Sequence, residues 1–253
     1  MNERRIPIFV INLEDNVPRY EDVKSQLDAL NLSFERIDAV AGKLLSQAEI
    51  TAIYDKQTNR KLHHRNLTVG EIGCYMSHRK IWQMMQEQKI ERALILEDDI
   101  VAKPQLLDCL RLMESANGWD VIKIADFERV TPAKSQRVSE QFELVSYKKV
   151  PNRTMGYFIT RQAAAKMLRR EKIYRPVDVD FQFYSDFDIS VCGLRPSCIE
   201  ISPEFGTEES SDIAKQNRGG HNNRSTFLRN LKYRYQLYVK RKQISFTLDK
   251  FSF

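Results

Sequence analysis

The stretch Ala93-Leu94-Ile95-Leu96-Glu97-Asp98-Asp99 decides the fold of this chain. Its four apolar residues read as a strand buried on both faces, and three carboxylates follow at the strand end. Open α/β sheets bind their ligands outside the carboxyl ends of the strands. Adjacent carboxylates repel one another unless a cation neutralises them. Hard cations such as Mg²⁺ and Mn²⁺ favour carboxylate oxygens and keep positions open for phosphate. The stretch therefore predicts a metal-bridged nucleotide diphosphate site. Its plain alternative is a solvated acidic loop after a core strand.

Upstream, Ile6 to Leu13 reads as a first buried strand, and a helix follows from about Val17 with Pro18 in its first turn. Val23, Leu27 and Leu30 are spaced to face a core, and Phe34 to Ile37 reads as a second strand. Strand, helix and strand at this spacing make a βαβ unit. Ser46 is an N-cap candidate for a helix holding Ile50 and Ile53, and the polar stretch 56–67 is expected to be a loop. Thr68 with Glu71 three residues on has the capping-box pattern, which predicts a long helix from Val69 to about Gln88. Downstream, Pro104 opens a helix carrying Leu106, Leu107, Leu110 and Met113, and Trp119 to Ile124 reads as a strand. Residues 126–150 leave room for one or two strands, and Gly156 to Thr160 reads as a strand feeding a helix with Ala163, Ala164, Met167 and Leu168. The alternation predicts an α/β fold, a mostly parallel sheet with helices on both faces.

At 253 residues the chain can form one sizeable domain, and its apolar and charged fractions, 42% and 29%, are ordinary for a globular protein. No apolar stretch approaches the ~20 residues that span a bilayer. The opening Met1-Asn2-Glu3-Arg4-Arg5-Ile6 has no signal-peptide pattern, and the four cysteines lack metal-ligand spacing. Both features predict reduced thiols and a cytoplasmic setting. The net charge of +6 is uneven: residues 217–253 carry nine Lys/Arg and one acid, leaving 31 basic and 33 acidic residues before them. The expected division is a catalytic domain over 1–201, a mobile linker over 202–223 and a basic amphipathic tail over 224–253. In the tail, Phe227, Leu228, Leu231, Tyr235 and Tyr238 lie at helical spacing among Arg and Lys. That pattern suits either a helix lying on an anionic membrane surface or one docked on the body with its charges outward. No nucleic-acid partner is expected.

Several ordered blocks carry a family resemblance. They are Val10-Ile11-Asn12-Leu13 with Arg19; Arg36-Ile37-Asp38-Ala39-Val40-Ala41-Gly42; and Leu67-Thr68-Val69-Gly70-Glu71-Ile72-Gly73-Cys74-Tyr75-Met76-Ser77-His78 with Trp82. Leu94 to Asp99, the Gly156-Tyr157 strand and Arg175-Pro176-Val177-Asp178 complete them. Over about residues 5–213 the chain resembles glycosyltransferase family 25, the lipooligosaccharide galactosyltransferase type. The resemblance implies a GT-A type, Rossmann-like fold and transfer of a hexose, usually galactose, from a UDP-sugar to a bacterial surface glycolipid. It further implies a β-linked product, hence inversion, and a divalent cation at the acidic motif, Mn²⁺ ahead of Mg²⁺. Catalysis would then occur in the cytoplasm, peripherally on the inner membrane. A glucosyltransferase on the same scaffold and a non-catalytic nucleotide- or glycan-binding relative are the alternatives.

A cation bridging the phosphates of departing UDP stabilises the developing charge. Asp99 is the expected metal ligand with Asp98 beside it, while Glu97 or Asp98 is placed to reach ribose hydroxyls, Glu97 with a helix cap or salt-bridge partner as its plain role. Asn12, Asp38, Val40 and Gly42 are candidates for nucleotide contact, Asp38 with an Asx-type turn as its plain role. Thr68 and Glu71 sit at a positive helix end suited to phosphate. Ser77 and His78 lie two to three turns on; His78 is either a donor-site residue or a satisfied core histidine. Cys74 and Tyr75 read as packing. Inversion needs a general base: Asp178 is preferred, Asp180 shares its face if the segment is extended, and Asp186 and Asp188 follow. Phe181, Phe183, Tyr184 and Phe187 suit either acceptor stacking or the core. Glu208, Ser211 and Asp212 are candidates for closing over the donor, and His221 for completing the metal shell.

Overall fold

The structure is a computed structural model and describes residues 5–125, 130–205, 224–243, 248 and 251–252. Its centre is one eight-stranded sheet. The strands are β1 (Ile8–Asn12), β2 (Glu35–Asp38), β3 (Arg92–Glu97), β5 (Val121–Lys123), β6 (Pro132–Arg137), β7 (Glu143–Tyr147), β8 (Gly156–Thr160) and β9 (Val191–Arg195), in the order β2-β1-β3-β8-β5-β9-β7-β6. The strands β4 (Ile100–Ala102) and β10 (Ile199–Ile201) pair separately. The ladders β1–β2, β1–β3 and β5–β9 are parallel, and the remaining four are antiparallel. Six of the eight strands thus run one way, with β7 and β8 opposed, so the sheet is mostly parallel as expected. The β4, β9 and β10 strands had no clear sequence signal.

The apolar run in β1 is buried throughout because both of its faces are covered. Ile8 and Val10 pack with Val23 and Leu27 of helix α1 (Val17–Ala29) and with Leu106, Leu110 and Met113 of the helix Leu106–Ser115. Phe9 and Ile11 pack on the other face with Ile72, Ile81 and Trp82 of the helix Val69–Glu87 and with Ala163 and Met167 of the helix Arg161–Leu168. The remaining helices are α2 (Gln47–Ile53) and α3 (Lys56–Leu62), which fixes α4 as Val69–Glu87, α5 as Leu106–Ser115 and α6 as Arg161–Leu168; α7 (Val177–Gln182) and α8 (Arg224–Gln243) follow. The capping box at Thr68–Glu71 and the cap at Ser46 are both formed.

Two expectations need correction. The 56–67 stretch is not all loop, because it contains α3. Asp55 starts that helix by accepting from the Thr58 amide at 2.8 Å, and Asn59 is its one buried residue. The buried Asn59 amide donates to the carbonyls of Arg65 and Tyr174, so hydrogen bonds rather than an apolar stripe fix α3. The 178–180 segment is not extended either. It belongs to α7, where residues two apart point about 200° apart.

No helix among the described residues is long and apolar enough to cross a membrane. One face of α8 docks on the body. Tyr233 packs against His63, His64 and Phe183, Leu237 is buried against Val179 and Phe183, and Lys240 pairs with Asp186 at 2.8 Å. Arg229 donates to the His63 carbonyl and to Asn59 Oδ1. The opposite face is apolar and exposed: Phe227, Leu228, Leu231, Tyr235 and Tyr238 fall within an arc of about 100°. The exposed Lys232 and Arg234 flank that arc.

Candidate active site

Parallel pairing of β1 and β3, with Ile11 opposite Glu97, brings Asn12 alongside the three carboxylates at the strand ends. The Asn12 amide donates to Asp98 Oδ2 at 2.7 Å, and its Oδ1 accepts from Arg36 at 2.7 Å. Arg19 reaches Asp98 Oδ1 at 3.4 Å and the Phe205 carbonyl at 2.9 Å. Both oxygens of Asp98 therefore have donors. Burial raises its pKa in spite of them. Asp99 differs: its Oδ1 is buried and has no hydrogen-bond partner among the described residues. Burial first, then the Glu97 and Asp98 charges, pushes its pKa up to about 7. A buried acceptor oxygen without a donor beside two further carboxylates fits a hard cation, whose charge would remove both penalties.

Glu97 is kept ionised instead. Trp82 Nε1 can only donate, and it donates to the Tyr157 hydroxyl oxygen at 3.2 Å. The Tyr157 O–H is then left for His78 Nδ1 at 2.9 Å. That places the ring proton on His78 Nε2, which donates to Glu97 Oε1 at 3.3 Å. Thr154 Oγ1 donates to the same oxygen. Burial alone would raise the Glu97 pKa, but the His78 and Thr154 bonds bring it below its usual value. His78 is thus fully buried, as a core histidine would be, and also serves a site carboxylate.

Gly73 of α4 and Gly42 of the segment after β2 serve one backbone contact. A Cβ on Gly73 would lie 2.4 Å from the Val40 carbonyl oxygen, and one on Gly42 1.8 Å from that of Val69. Ser77 Oγ donates to the Gly73 carbonyl and accepts from the Val40 amide, both at 2.8 Å. Val40, Gly42 and Ser77 thereby seat α4 on the segment after β2; the close approach is that of a helix. Thr68 and Glu71 are likewise engaged. Glu71 accepts from the Thr68 amide at 2.9 Å and from both arms of the Arg65 guanidinium, at 2.7 and 2.5 Å. Asp38 is exposed, with its carbonyl accepting from Lys80 at 3.1 Å.

Asp178 stands in the first turn of α7, accepting from the Arg153 amide at 3.1 Å and the Val179 amide at 2.8 Å. Burial raises its pKa. Arg153 has a left-handed φ of 67°. Its carbonyl and those of Pro151 and Asn152 surround the buried Lys123 ammonium at 2.6, 2.7 and 3.3 Å. Lys123 ends β5 and so ties the 151–153 turn, and with it Asp178, to the sheet. Burial pushes the Cys74 thiol well up, and the Glu97, Asp178, Glu71 and Asp99 charges add to that shift.

Asp180 belongs to a buried ion-pair network instead. It is fully buried and accepts from Tyr75 at 2.8 Å and Arg170 at 2.5 Å, with Arg175 at 3.6 Å. Asp186 completes the network with Arg175 at 2.9 Å. Asp188 is exposed and paired with Lys166. Phe181, Phe183 and Phe187 are core residues rather than an acceptor platform, and Tyr184 is half-buried. Glu208, Ser211, Asp212 and His221 lie outside the described residues. Sequence reading missed Thr154, Tyr157, Arg65 and Lys123. Only Lys123 left a signal, a cation inside an otherwise apolar strand.

Residues 5–182 match the family model described as glycosyltransferase family 25 (LPS biosynthesis protein). The chain belongs to glycosyltransferase family 25. Among this family 25 chain's curated relatives, procollagen galactosyltransferase 1-B of Xenopus laevis is 33% identical over 188 residues, covering 68% of this chain and 30% of the relative. A glycosyltransferase 25 family member of Drosophila melanogaster is 30% identical over 178 residues, covering 68% and 29%. Procollagen galactosyltransferase 2 of Homo sapiens is 26% identical over 188 residues, covering 68% and 29%. The family 25 chain thus corresponds to less than a third of the length of these relatives.

Proposed function

We propose that this chain transfers galactose from UDP-galactose, with inversion, to a lipooligosaccharide-type glycolipid, using a divalent cation, Mn²⁺ in preference to Mg²⁺. The observation that carries the reading is the Asp99 carboxylate oxygen, buried beside Glu97 and Asp98 at the end of β3 without a donor among the described residues. Asp99 would hold the cation, with Asp98 beside it. When bound, such an ion supplies electrostatic stabilisation of the departing diphosphate. Glu97, held ionised by His78 and Thr154, and Asp98, oriented by Asn12, are suited to accept hydrogen bonds from ribose or donor hydroxyls.

Asp178 is assigned as the general base that takes the proton of the attacking acceptor hydroxyl. Its two backbone donors orient the carboxylate, and its raised pKa makes it a better proton acceptor than an exposed aspartate. Asp178→Asn should retain nucleotide binding and lose turnover; full turnover would exclude it as the base.

The family description supports a lipid-borne acceptor, and so does the apolar, cation-flanked outer face of α8, which suits an anionic inner-leaflet surface. A cytoplasmic, membrane-peripheral enzyme follows from that reading. The procollagen galactosyltransferase names of relatives favour galactose as the donor sugar and raise a protein acceptor as the second reading. The test is transfer from UDP-galactose and UDP-glucose to a truncated lipooligosaccharide and to a collagen peptide. Metal-dependent transfer from UDP-galactose to the glycolipid supports the proposal. Preference for UDP-glucose or for the peptide would replace its donor or its acceptor.

A further inference from the structure

We infer that Cys74, His78 and Glu97 form a separate site for a divalent transition metal of the Zn²⁺ class, at the same strand end as the oxygen-ligand cation site. Cys74 and His78 are four residues apart on α4 and present their side chains to the end of β3, where Glu97 stands. One sulfur, one imidazole nitrogen and one carboxylate oxygen lie within 4.8 Å of one another, and this is the only such group among the described residues. The ligands come from a helix and a strand rather than from loops, so their spacing is fixed by the fold.

The surroundings have the construction that metal sites need. A ligating histidine is normally oriented by a partner on its other ring nitrogen. Here that partner is the Tyr157 hydroxyl at 2.9 Å, itself held by Trp82. Thr154 fixes Glu97 in the same way. His78 is closed to solvent, while the Glu97 side chain is 23% exposed and gives an ion a way in from solvent. The donor set separates the two sites. Thiolate and imidazole select Zn²⁺ or Co²⁺, whereas carboxylate oxygens suit Mg²⁺ and Mn²⁺. Binding would release the Cys74 thiol proton to solvent. The His78 ring proton would be exchanged from Nε2 to Nδ1, and the Tyr157 O–H would turn away so that its oxygen accepts the Nδ1–H hydrogen bond.

The consequence is inhibition. An ion held by Cys74 and His78 engages the Glu97 carboxylate and sets a second positive charge near Asp99. Zn²⁺ should therefore antagonise the productive cation. The inhibition rests on the transferase reading, whereas the site itself does not.

The direct test is Co²⁺ titration of the full chain, read as the thiolate-to-metal charge-transfer absorbance. The expected result is a band that saturates at one equivalent, disappears on adding Zn²⁺, is absent in Cys74→Ser and persists in Asp99→Asn. Tyr157→Phe should weaken binding by roughly 10–100-fold. Zn²⁺ should also slow alkylation of Cys74, read by mass spectrometry in the unmodified sequence. No band, or a band unchanged in Cys74→Ser, would overturn the site. Loss of the band in Asp99→Asn would show one shared site instead of two. An intact band in a chain that transfers no sugar would remove only the transferase reading; Mn²⁺-dependent transfer without a band would remove only this one.

Discussion

Asp180→Ala should unfold the protein more easily without directly disabling its chemistry. The carboxylate has no solvent exposure and is held by Tyr75, Arg170 and Arg175 at 2.8, 2.5 and 3.6 Å. Burial raises its pKa against the pull of the two guanidinium groups, so the intact cluster is no large source of stability. Removing one partner is different, because the charges left behind stay buried. Arg170 and Arg175 are packed over Phe187 and Phe183, at 4.1 and 3.7 Å, and among the described residues would retain only Asp186 as a paired anion. Breaking a buried pair from one side costs about 3–5 kcal/mol. For a chain of this size, that lowers Tm by roughly 6–20 °C. The assay is urea unfolding at neutral pH alongside turnover normalised to folded protein. Stability within about 1 kcal/mol of the parent together with abolished turnover would refute this reasoning and return Asp180 to the list of catalytic bases.

Other consequences can be checked in the same preparations. Gly73→Ala gains about 1 kcal/mol of helix propensity, yet its Cβ would sit 2.4 Å from the Val40 carbonyl oxygen and 2.7 Å from the Gly42 nitrogen, so overpacking of about 1–3 kcal/mol should prevail. A raised unfolding midpoint would show that α4 does not rest on that segment. Burial lowers His63 to about 2 and His64 to about 4, with Arg65, Arg175, Arg229 and Arg234 adding to it and Glu71 opposing it at His64. The unfolded chain, with the histidines at about 6.5, binds more protons, so stability should fall as pH drops from about 6.5 towards 4. The urea midpoint should therefore drop less between pH 7 and pH 5 in a His63→Phe/His64→Phe variant; an equal drop would dismiss this pair as the acid-sensitive element. A Leu231→Asp/Tyr235→Asp variant should lose binding to phosphatidylglycerol vesicles while keeping its fold, and undiminished sedimentation with vesicles would remove the exposed face of α8 as the membrane contact.

Much of the fold was legible because its signals are local. The Thr68–Glu71 capping box, the apolar β1 and β3 runs and the Gly156 strand each specify an element from neighbouring residues. The α3 helix was not legible, since its anchor is an asparagine bonded to Tyr174, 115 residues away. The site divides in the same way. The strand-end acids could be read from sequence, but which of them lacks a donor depends on Asn12 and Arg19 arriving from elsewhere in the chain. Separating Asp178 from Asp180 depended on the helical turn of α7, and nothing in a six-residue stretch with Pro176 before it specified that turn. The tail pattern left open whether its apolar stripe docks or faces outward; the stripe faces outward, and α8 docks instead through Tyr233, Leu237 and Lys240, whose partners lie far off in the chain.

The central claim, a cation-dependent UDP-sugar site organised by Asp99, is tested most directly by thermal unfolding with UDP, with and without Mn²⁺, in the parent and in Asp99→Asn. A ligand at ~100 times its Kd adds about 2.7 kcal/mol, or roughly 5–10 °C here. The rise is expected only when UDP and Mn²⁺ are both present, and only with Asp99 intact. An equal rise from UDP without metal, or an undiminished one in Asp99→Asn, would contradict the claim.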